Sequence, residues 1–207
     1  MDNPLNAVEV RVLGALIEKE NTTPEYYPMS LNALVAACNQ KSNRWPVSEY
    51  TDDDVLAAID GLRPRGFAAT IIGGSRVTKF AQRFTEKLNL GRRETAIMCV
   101  LMLRGPQTIG EIKGRTERMY GFADLEEVDT VLHKMIDQPE DALVQKLAHA
   151  PGTKEPRFAQ TLGGPVEFAT APPHAPAQDR LALLEAEVGR LRDELAELRR
   201  RMDESGF

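Results

Sequence analysis

Apolar residues recur along this chain at helical spacing, and the same order of segments occurs twice. The stripe that opens the first copy is Val8, Val12, Ala15 and Leu16. The stripe that opens the second copy is Ala96, Ile97, Val100 and Leu101. Spacings of three and four residues put such side chains on one face of a helix. A second, shorter helix is predicted behind a hydroxyl cap, Ser30 in one copy and Thr108 in the other.

A third helix and a hairpin complete each copy. The apolar positions of the third helix are Val55, Ile59 and Leu62, repeated as Val128, Leu132 and Met135. The return strands read KFAQ at 79–82 and RFAQ at 157–160, and the paired glycines at 73 and 74 suit a tight reversal. Three helices followed by a hairpin is the order of a winged helix. The sequence therefore predicts a mainly α fold with small β-hairpins, in the α+β class.

The repeat also predicts the domain organisation. We expect one winged-helix domain at residues 1–88 and a second at residues 89–165, each with its own small core. The residues expected to fill the first core are Leu13, Leu34, Ile59 and Phe80, and those expected to fill the second are Ile97, Ile112, Leu132 and Phe158.

The segment after the repeat has a different pattern. Residues 166–179 are rich in alanine and proline, which is typical of a linker. Residues 180–203 then carry an unbroken heptad seam of Leu181, Leu184, Val188, Leu191, Leu195, Leu198 and Met202. In a parallel dimer the flanking pairs are opposite in charge: Arg180 with Glu185, Glu187 with Arg192, and Glu194 with Arg199. This predicts a coiled-coil helix and a homodimer, and the alternative is one amphipathic helix folded back on its own domain.

Four long segments of the repeat are ordered matches to a known family. They read VRVLGALIEKENTTPEYYPMSLNALVAACNQKSNRWPVSEY (Val10–Tyr50), GGSRVTKF (Gly73–Phe80), LRGPQTIGEIKGRTERMYGFADLEEV (Leu103–Val128) and EPRFAQTLGG (Glu155–Gly164). In these segments the chain resembles the YceH-like bacterial proteins. The resemblance implies tandem winged helices and an expectation of DNA binding, but no activity and no catalytic residues. Members often carry histidine where this chain has Gln82 and Gln160, so a role for those histidines does not transfer.

Composition narrows the class of protein. Charged residues make up 28% of the 207 residues and hydrophobic residues 42%, which is ordinary for a globular protein. No apolar run approaches the roughly 20 residues of a membrane span, and the start of the chain lacks the features of a secretory signal. We expect a cytoplasmic protein without a membrane partner, in which Cys38 and Cys99 are core residues. The sequence has no phosphate-binding loop, zinc motif or nucleophile elbow, so we expect no catalytic residues, no metal and no cofactor.

The clearest charge feature is a basic stretch from Gly61 to Arg93. It holds eight basic residues and one acid, Glu86, for a net charge of +7 in a chain whose total is −5. The candidate phosphate-contacting residues are Arg63, Arg65, Arg76, Lys79, Arg83, Lys87, Arg92 and Arg93. This stretch includes the first hairpin and the link to the second copy, and it predicts contact with a phosphate backbone.

The third helices carry the opposite charge. One opens with Asp52, Asp53 and Asp54, and the other carries Asp124, Glu126, Glu127 and Asp129. Acids at a helix start are usually caps on a solvated face. On the groove-facing end of a DNA-binding helix they would be repelled by phosphates. Insertion of either helix into the major groove is therefore doubtful. Contact with DNA through the hairpin or through the link between the two copies stays open.

The polar loop after the second helix is another candidate surface. Its candidate residues are Asn39, Gln40, Lys41, Asn43, Arg44 and Trp45. These side chains either grip phosphates or a partner's backbone, or only cap the helix and brace the loop. Two functions thus stay open: a dimeric DNA-binding protein, such as a transcriptional regulator, or a protein–protein adaptor that uses winged helices as docking domains.

Overall fold

The structure of the protein is a computed structural model that describes residues 4–72, 77–137, 142–148 and 155–164. The first copy contains, in order, α1 (Ala7–Thr22), a short 3-10 helix (Pro24–Tyr26), β1 (Met29–Ser30), α2 (Leu31–Cys38), α3 (Asp52–Leu62), β2 (Ala68–Ile71), β3 (Lys79–Gln82) and α4 (Phe84–Lys87). The second contains α5 (Arg92–Arg104), α6 (Ile109–Thr116), α7 (Leu125–Ile136), β4 (Val144–Lys146) and β5 (Phe158–Gln160). The fold is mixed α+β, largely helical, with small antiparallel sheets.

Capping side chains set where the helices begin. The Asn6 side chain accepts hydrogen bonds from the backbone N–H groups of Val8 and Glu9, and the Glu9 carboxylate accepts one from the Asn6 backbone. The same reciprocal arrangement is formed by Thr51 with Asp54 and by Thr108 with Glu111. Each of these reciprocal arrangements, known as capping boxes, satisfies backbone N–H donors that have no partner within the helix at its start. The predicted caps Ser30 and Thr108 are confirmed.

The strands form two separate antiparallel sheets. In the first, the order is β1-β3-β2, so β3 lies between the hairpin partner and a strand from before α2. Met29 pairs with Phe80, and Ala68 pairs with Gln82. The second sheet consists of β4 and β5, with a single bridge between Gln107 and Phe158 where the first copy has β1. The sequence predicted both hairpins but missed β1, because two residues are too few to form a pattern.

All eight residues predicted for the core are buried. The expectation of two separate cores is wrong, however, because buried side chains of both copies belong to one continuous cluster. Helix α1 packs along α5, which is the equivalent first helix of the second copy. The apolar side chains of α1 therefore pack both against α2 and α3 of their own copy and against α5 of the other copy.

At Gly14 the backbone of α1 lies close to side chains of α5. A Cβ atom there would lie 3.0 Å from both Leu103 Cδ2 and Met102 Cβ. The Gly14 carbonyl accepts a hydrogen bond from the Cys99 thiol at 3.5 Å. Gly14 follows Glu9, and Cys99 follows Glu94, at the same spacing. Matching positions of the two copies thus meet at the crossing.

The chain divides into two units, Met1–Glu167 and Phe168–Phe207, and every described residue belongs to the first. The predicted linker and coiled coil lie outside the described residues. So do the turn of the first hairpin at 73–76 and most of the reversal of the second. The predicted domain boundaries remain a prediction.

Candidate functional site

Arg44, one of the candidates in the polar loop, is buried. Its guanidinium pairs with the Glu18 carboxylate through two contacts, Nη2 to Oε2 at 2.5 Å and Nη1 to Oε1 at 3.1 Å. Its Nε donates to the Ala37 carbonyl at 3.0 Å. The hydrogen-bonding groups of Arg44 are therefore occupied inside the fold and are not presented to a ligand.

Arg11, which the sequence did not single out, has a related role. Its guanidinium donates to the Cys38 carbonyl at 3.0 Å and to the Pro46 carbonyl at 2.6 Å. Burial lowers the pKa of Arg11 from its ordinary value. Together Arg11 and Arg44 satisfy carbonyls that the end of α2 leaves free, where positive charge is favourable. The only signal in the sequence was a basic residue between Val10 and Val12 in a helix that is apolar on both sides.

Some of the remaining loop candidates hold the loop in place through hydrogen bonds, and others are exposed to solvent. The Asn39 side chain makes two hydrogen bonds of 2.8 Å with the Tyr50 backbone, which closes the loop. Asn43 contacts the Arg104 guanidinium, and the backbone N–H of Trp45 donates to the Leu103 carbonyl at 2.8 Å. The loop therefore links α2 to α5. Among the loop candidates, Lys41, Asn43 and Trp45 are exposed, whereas Gln40 is half-buried.

The basic stretch is divided by the fold into three groups, and the largest lies at the base of the first hairpin. This base group is Arg63, Arg65, Arg83 and Lys87. It is held together by backbone contacts: the Arg83 N–H donates to the Phe67 carbonyl at 2.8 Å, and the Lys87 amine contacts the Arg65 carbonyl. The Lys87 amine also lies 5.3 Å from the centre of the Phe67 ring.

Lys79 forms the second group, at the far end of the hairpin. It is paired with Ile71, the last pair of the β2–β3 ladder, whereas Gln82 pairs with Ala68 at the base. At about 3.3 Å per residue, a ladder of this length separates Lys79 from the base group by roughly 10 Å. Arg76 lies outside the described residues.

Arg92 and Arg93 form the third group, at the start of α5. The Arg93 Nε lies 2.9 Å from both the Tyr120 hydroxyl and the Glu127 carboxylate. These contacts with Tyr120 and Glu127 raise the pKa of Arg93. Arg93 thus pairs with side chains of its own copy, the Tyr120 hydroxyl before α7 and the Glu127 carboxylate on α7.

Nearby acids pair with part of the base group. Arg63 contacts Asp60 at 3.2 Å, and Arg83 contacts Glu86 at 3.1 Å. Both pairs are exposed and lie within one helical turn. Such pairs contribute only about 0–1 kcal/mol, so a phosphate can replace the carboxylate at little cost.

Several acids of the third helices serve as caps. The Thr51 backbone N–H and hydroxyl donate to the Asp54 carboxylate and hold its pKa below the usual range. Asp124 accepts from the Glu127 N–H at 2.8 Å, and Glu127 accepts from the Ala123 N–H at 2.9 Å. Asp52 and Asp53 make no such contact and leave the start of α3 acidic and exposed.

The chemistry of the cysteines and histidines is modest. Burial raises the pKa of the Cys38 thiol to about 12 and also raises that of Cys99, so both thiols are protonated near neutrality. His133 is exposed and bonds to the Asp129 carbonyl at 2.9 Å.

In the part of the chain that the structure describes, no group of three metal-ligating side chains comes together. Nor does any helix there combine the length and apolarity needed to cross a membrane.

The fold and these sites define a class: an α+β protein built from two related helix-and-hairpin units that share one core. Residues 5–153 match the family model described as "Protein of unknown function, DUF480". A UPF0502 protein of Solibacter usitatus is 53% identical over 98% of this chain and 100% of its own length. A UPF0502 protein of Pelobacter propionicus is 48% identical over 99% of this chain and 97% of its own. The chain belongs to this DUF480/UPF0502 family of bacterial proteins of unknown function.

Proposed function

We propose that each copy is a winged helix and that the protein binds DNA through the first hairpin. The proposal is supported by the order of elements, α1-β1-α2-α3-β2-β3, with the sheet order β1-β3-β2. In a winged helix the strand before the second helix joins the sheet beside the return strand of the hairpin. The pairing of Met29 with Phe80, and the bridge of Gln107 with Phe158, follow that arrangement in both copies.

The observation that carries the DNA proposal is the charge difference between the two hairpins. Residues 61–85, which include the first hairpin, contain five basic residues and no acid. The corresponding stretch of the second copy, residues 137–160, contains four acids and three basic residues. The two copies share fold and core pattern, so packing does not require this difference. Contact with a polyanion by the first hairpin accounts for it.

The contact that we propose is with phosphates rather than through a helix in the major groove. Lys79 at the far end of the β2–β3 ladder and Arg63, Arg83 and Lys87 at its base would contact the DNA backbone, and we propose the same role for Arg76 from its sequence position. Asp52 and Asp53 at the exposed start of α3 would be repelled by phosphates, which argues against groove insertion. We further propose that residues 180–203 join two chains in a parallel coiled coil, so that two basic hairpins act together.

Fluorescence anisotropy with a random duplex, measured over a series of salt concentrations, tests the DNA proposal. Changing Arg76, Lys79 and Arg83 to Ala should weaken binding to many duplexes. It should also flatten the slope of log affinity against log salt by up to about 3 units, because each phosphate contact contributes about −0.9. The charge-matched control changes Lys113, Arg118 and Lys146 to Ala and should alter the slope much less.

A second pair of substitutions reports on α3. Changing Asp52 and Asp53 to Asn leaves the Asp54 capping box intact. If only the hairpin makes contact, this variant should bind DNA as the wild type does. Stronger binding would instead show that α3 approaches the duplex. No binding above background at 150 mM salt by the wild type would reject the DNA proposal.

A second candidate function is docking to another protein. It is favoured by two exposed leucines on the acidic helices, Leu56 on α3 at 37% exposure and Leu125 on α7 at 53%. An apolar side chain among acids suits a basic, partly apolar partner. Under this proposal the wild type has no affinity for DNA, and Leu56→Ser together with Leu125→Ser abolishes capture of a partner that the hairpin variant still captures.

A further inference from the structure

An exposed aromatic ring and two cations lie together where the loop after α2 meets the end of α5. Trp45 is 45% exposed, and Val47 beside it in the loop is 52% exposed. Lys41 in the same loop is exposed, and Arg104 at the end of α5 is half-buried and contacts the Asn43 side chain. We refer to Lys41, Trp45, Val47 and Arg104 as the Trp45 surface.

The fold holds the Trp45 ring in place and leaves part of it uncovered. The backbone N–H of Trp45 donates to the Leu103 carbonyl at 2.8 Å, and the Pro46 carbonyl accepts from Arg11 at 2.6 Å. A Cβ atom at Gly105 would lie 3.8 Å from Trp45 Cδ1, so one edge of the ring packs against the end of α5. Because the ring is already ordered, a ligand that covers it loses little binding energy to ordering the side chain.

The charge of the Trp45 surface favours an anionic ligand. Among the described residues, Arg104 forms an ion pair with no carboxylate, and its guanidinium donates to the Asn43 amide oxygen. The nearby carboxylates of Glu18 and Glu111 pair with other arginines. Burial and the neighbouring guanidinium of Arg115 lower the pKa of Arg104 from its ordinary value. An anion beside Arg104 would offset both effects, since an opposite charge stabilises the protonated guanidinium.

Two helices, α2 and α5, end near this surface, and free carbonyls at a helix end repel anions. The carbonyls concerned are occupied by donors of the protein itself. The Cys38 carbonyl accepts from Arg11 at 3.0 Å, and the Arg104 carbonyl accepts from the Gln107 side chain at 3.1 Å. The loop at residues 39–50 carries two cations and one acid, Glu49. The helix ends therefore oppose an anion less than free ends would.

A ring beside cations matches the chemistry of a nucleotide chain. Nucleobases stack on exposed aromatic rings, while lysine and arginine contact the phosphates. The base must come from a single strand, because the base faces of a duplex are covered by their neighbours in the stack. A stable protein interface needs about 800 Å² on each partner, of which one ring with Pro46 and Val47 supplies only a small part. One base, by contrast, is enough to cover the ring.

We propose that the Trp45 surface binds single-stranded nucleic acid, with a base stacked on the Trp45 ring and phosphates at Lys41 and Arg104. This site is separate from the first hairpin and does not rest on the proposed binding of duplex DNA.

Trp45 is the only tryptophan of the chain, so intrinsic fluorescence reports directly on this ring. We expect a single-stranded oligothymidylate of about 12 nucleotides, within the usual range of site sizes, to quench the fluorescence of the full chain. An abasic oligonucleotide of the same length has the phosphates without the bases. It should bind more weakly and leave the fluorescence nearly unchanged.

The variants are compared by the anisotropy of dye-labelled oligothymidylate, in a chain whose Arg76, Lys79 and Arg83 are changed to Ala so that the hairpin contributes little. Trp45→Leu should bind about tenfold more weakly, because stacking of one base on an aromatic ring accounts for a loss of this size. Trp45→Tyr keeps an aromatic ring and should retain most of the affinity.

The cation is tested in the same chain. Arg104→Gln should flatten the slope of log affinity against log salt by about 0.7 unit, which is the contribution of one phosphate contact to a single strand. The matched control, Arg118→Gln, removes an exposed arginine of the second copy and should leave the slope unchanged.

Quenching of the wild-type chain decides the proposal even if a variant fails to fold. No quenching by oligothymidylate, or equal quenching by the abasic oligonucleotide, would overturn it. Quenching by a polyglutamate peptide and not by oligothymidylate would also overturn it and assign the surface to an acidic protein partner. Duplex binding is a separate result: if the wild type binds no duplex but oligothymidylate quenches Trp45, the hairpin proposal fails and this one stands.

Discussion

At the scale of single residues, the buried ion pair between Arg44 and Glu18 has the clearest physical consequence. The Arg44 side chain has no exposed surface, and that of Glu18 is 15% exposed. A charge in such a position is tolerated only with a partner, because burial removes its hydration. The pair fixes the loop after α2 against α1, and through Trp45 and Leu103 it also fixes the loop against α5.

Glu18→Gln should therefore destabilise the protein by about 3–5 kcal/mol, because it leaves the Arg44 charge buried and uncompensated. The matched control is Asp60→Asn, which removes the partner of the exposed Arg63 and should cost less than about 1 kcal/mol. Urea unfolding followed by circular dichroism measures both. Equal effects of the two substitutions would contradict the role assigned to Arg44.

At the scale of elements, the crossing of α1 and α5 holds the two copies together. Glycine at position 14 lets the helices approach closely, and the Cys99 thiol bonds to its carbonyl. The opposite case lies on α6, where a Cβ at Gly114 would have nothing within 4 Å. The two glycines are both helical and differ only in their surroundings.

Gly14→Ala should destabilise the protein by about 1 kcal/mol. Overpacking against Met102 and Leu103 costs about 1–3 kcal/mol, and the better helix propensity of alanine returns about 1 kcal/mol of that. Gly114→Ala should instead stabilise it by up to about 1 kcal/mol, because only the propensity changes. The unfolding temperatures of the two variants should shift in opposite directions. A rise for both variants would mean that α1 and α5 can move apart at Gly14 without a cost in free energy.

At the scale of the whole molecule, the first unit closes on itself. The Leu5 N–H donates to the Leu162 carbonyl at 2.7 Å, which joins the start of the first copy to the end of the second. The segment with the heptad seam follows this point in the sequence. We propose that it supplies the contact between chains, because the three flanking charge pairs favour a parallel dimer.

A chain that ends after Ala177 should then be a folded monomer, and Leu191→Lys should have the same effect by putting a charge into the seam. Leu191→Met keeps the seam apolar and should remain dimeric. Sedimentation velocity distinguishes the species. If the truncated chain has the same association state as the full chain, the coil is not the dimer interface.

For the candidate site, the sequence identified the basic hairpin but not its geometry. Composition alone gives the +7 stretch, because charge is a property of residue type. The division into a base group, Lys79 and the Arg92–Arg93 pair depends on how the hairpin and α5 are oriented. Arg44 and Arg11 show the same limit, since a basic residue in a polar or apolar segment does not reveal which carbonyls surround it.

The sequence by itself determined the elements of this protein. Helix boundaries followed from the caps Ser30 and Thr108, and the eight predicted core residues followed from apolar periodicity, because both depend on neighbours a few residues away. Only the tertiary structure decided that the two copies share one core, that β1 joins the sheet, and that Arg11 and Arg44 are buried. These features depend on contacts between residues far apart in sequence, such as Gly14 with Cys99, and no local pattern specifies them.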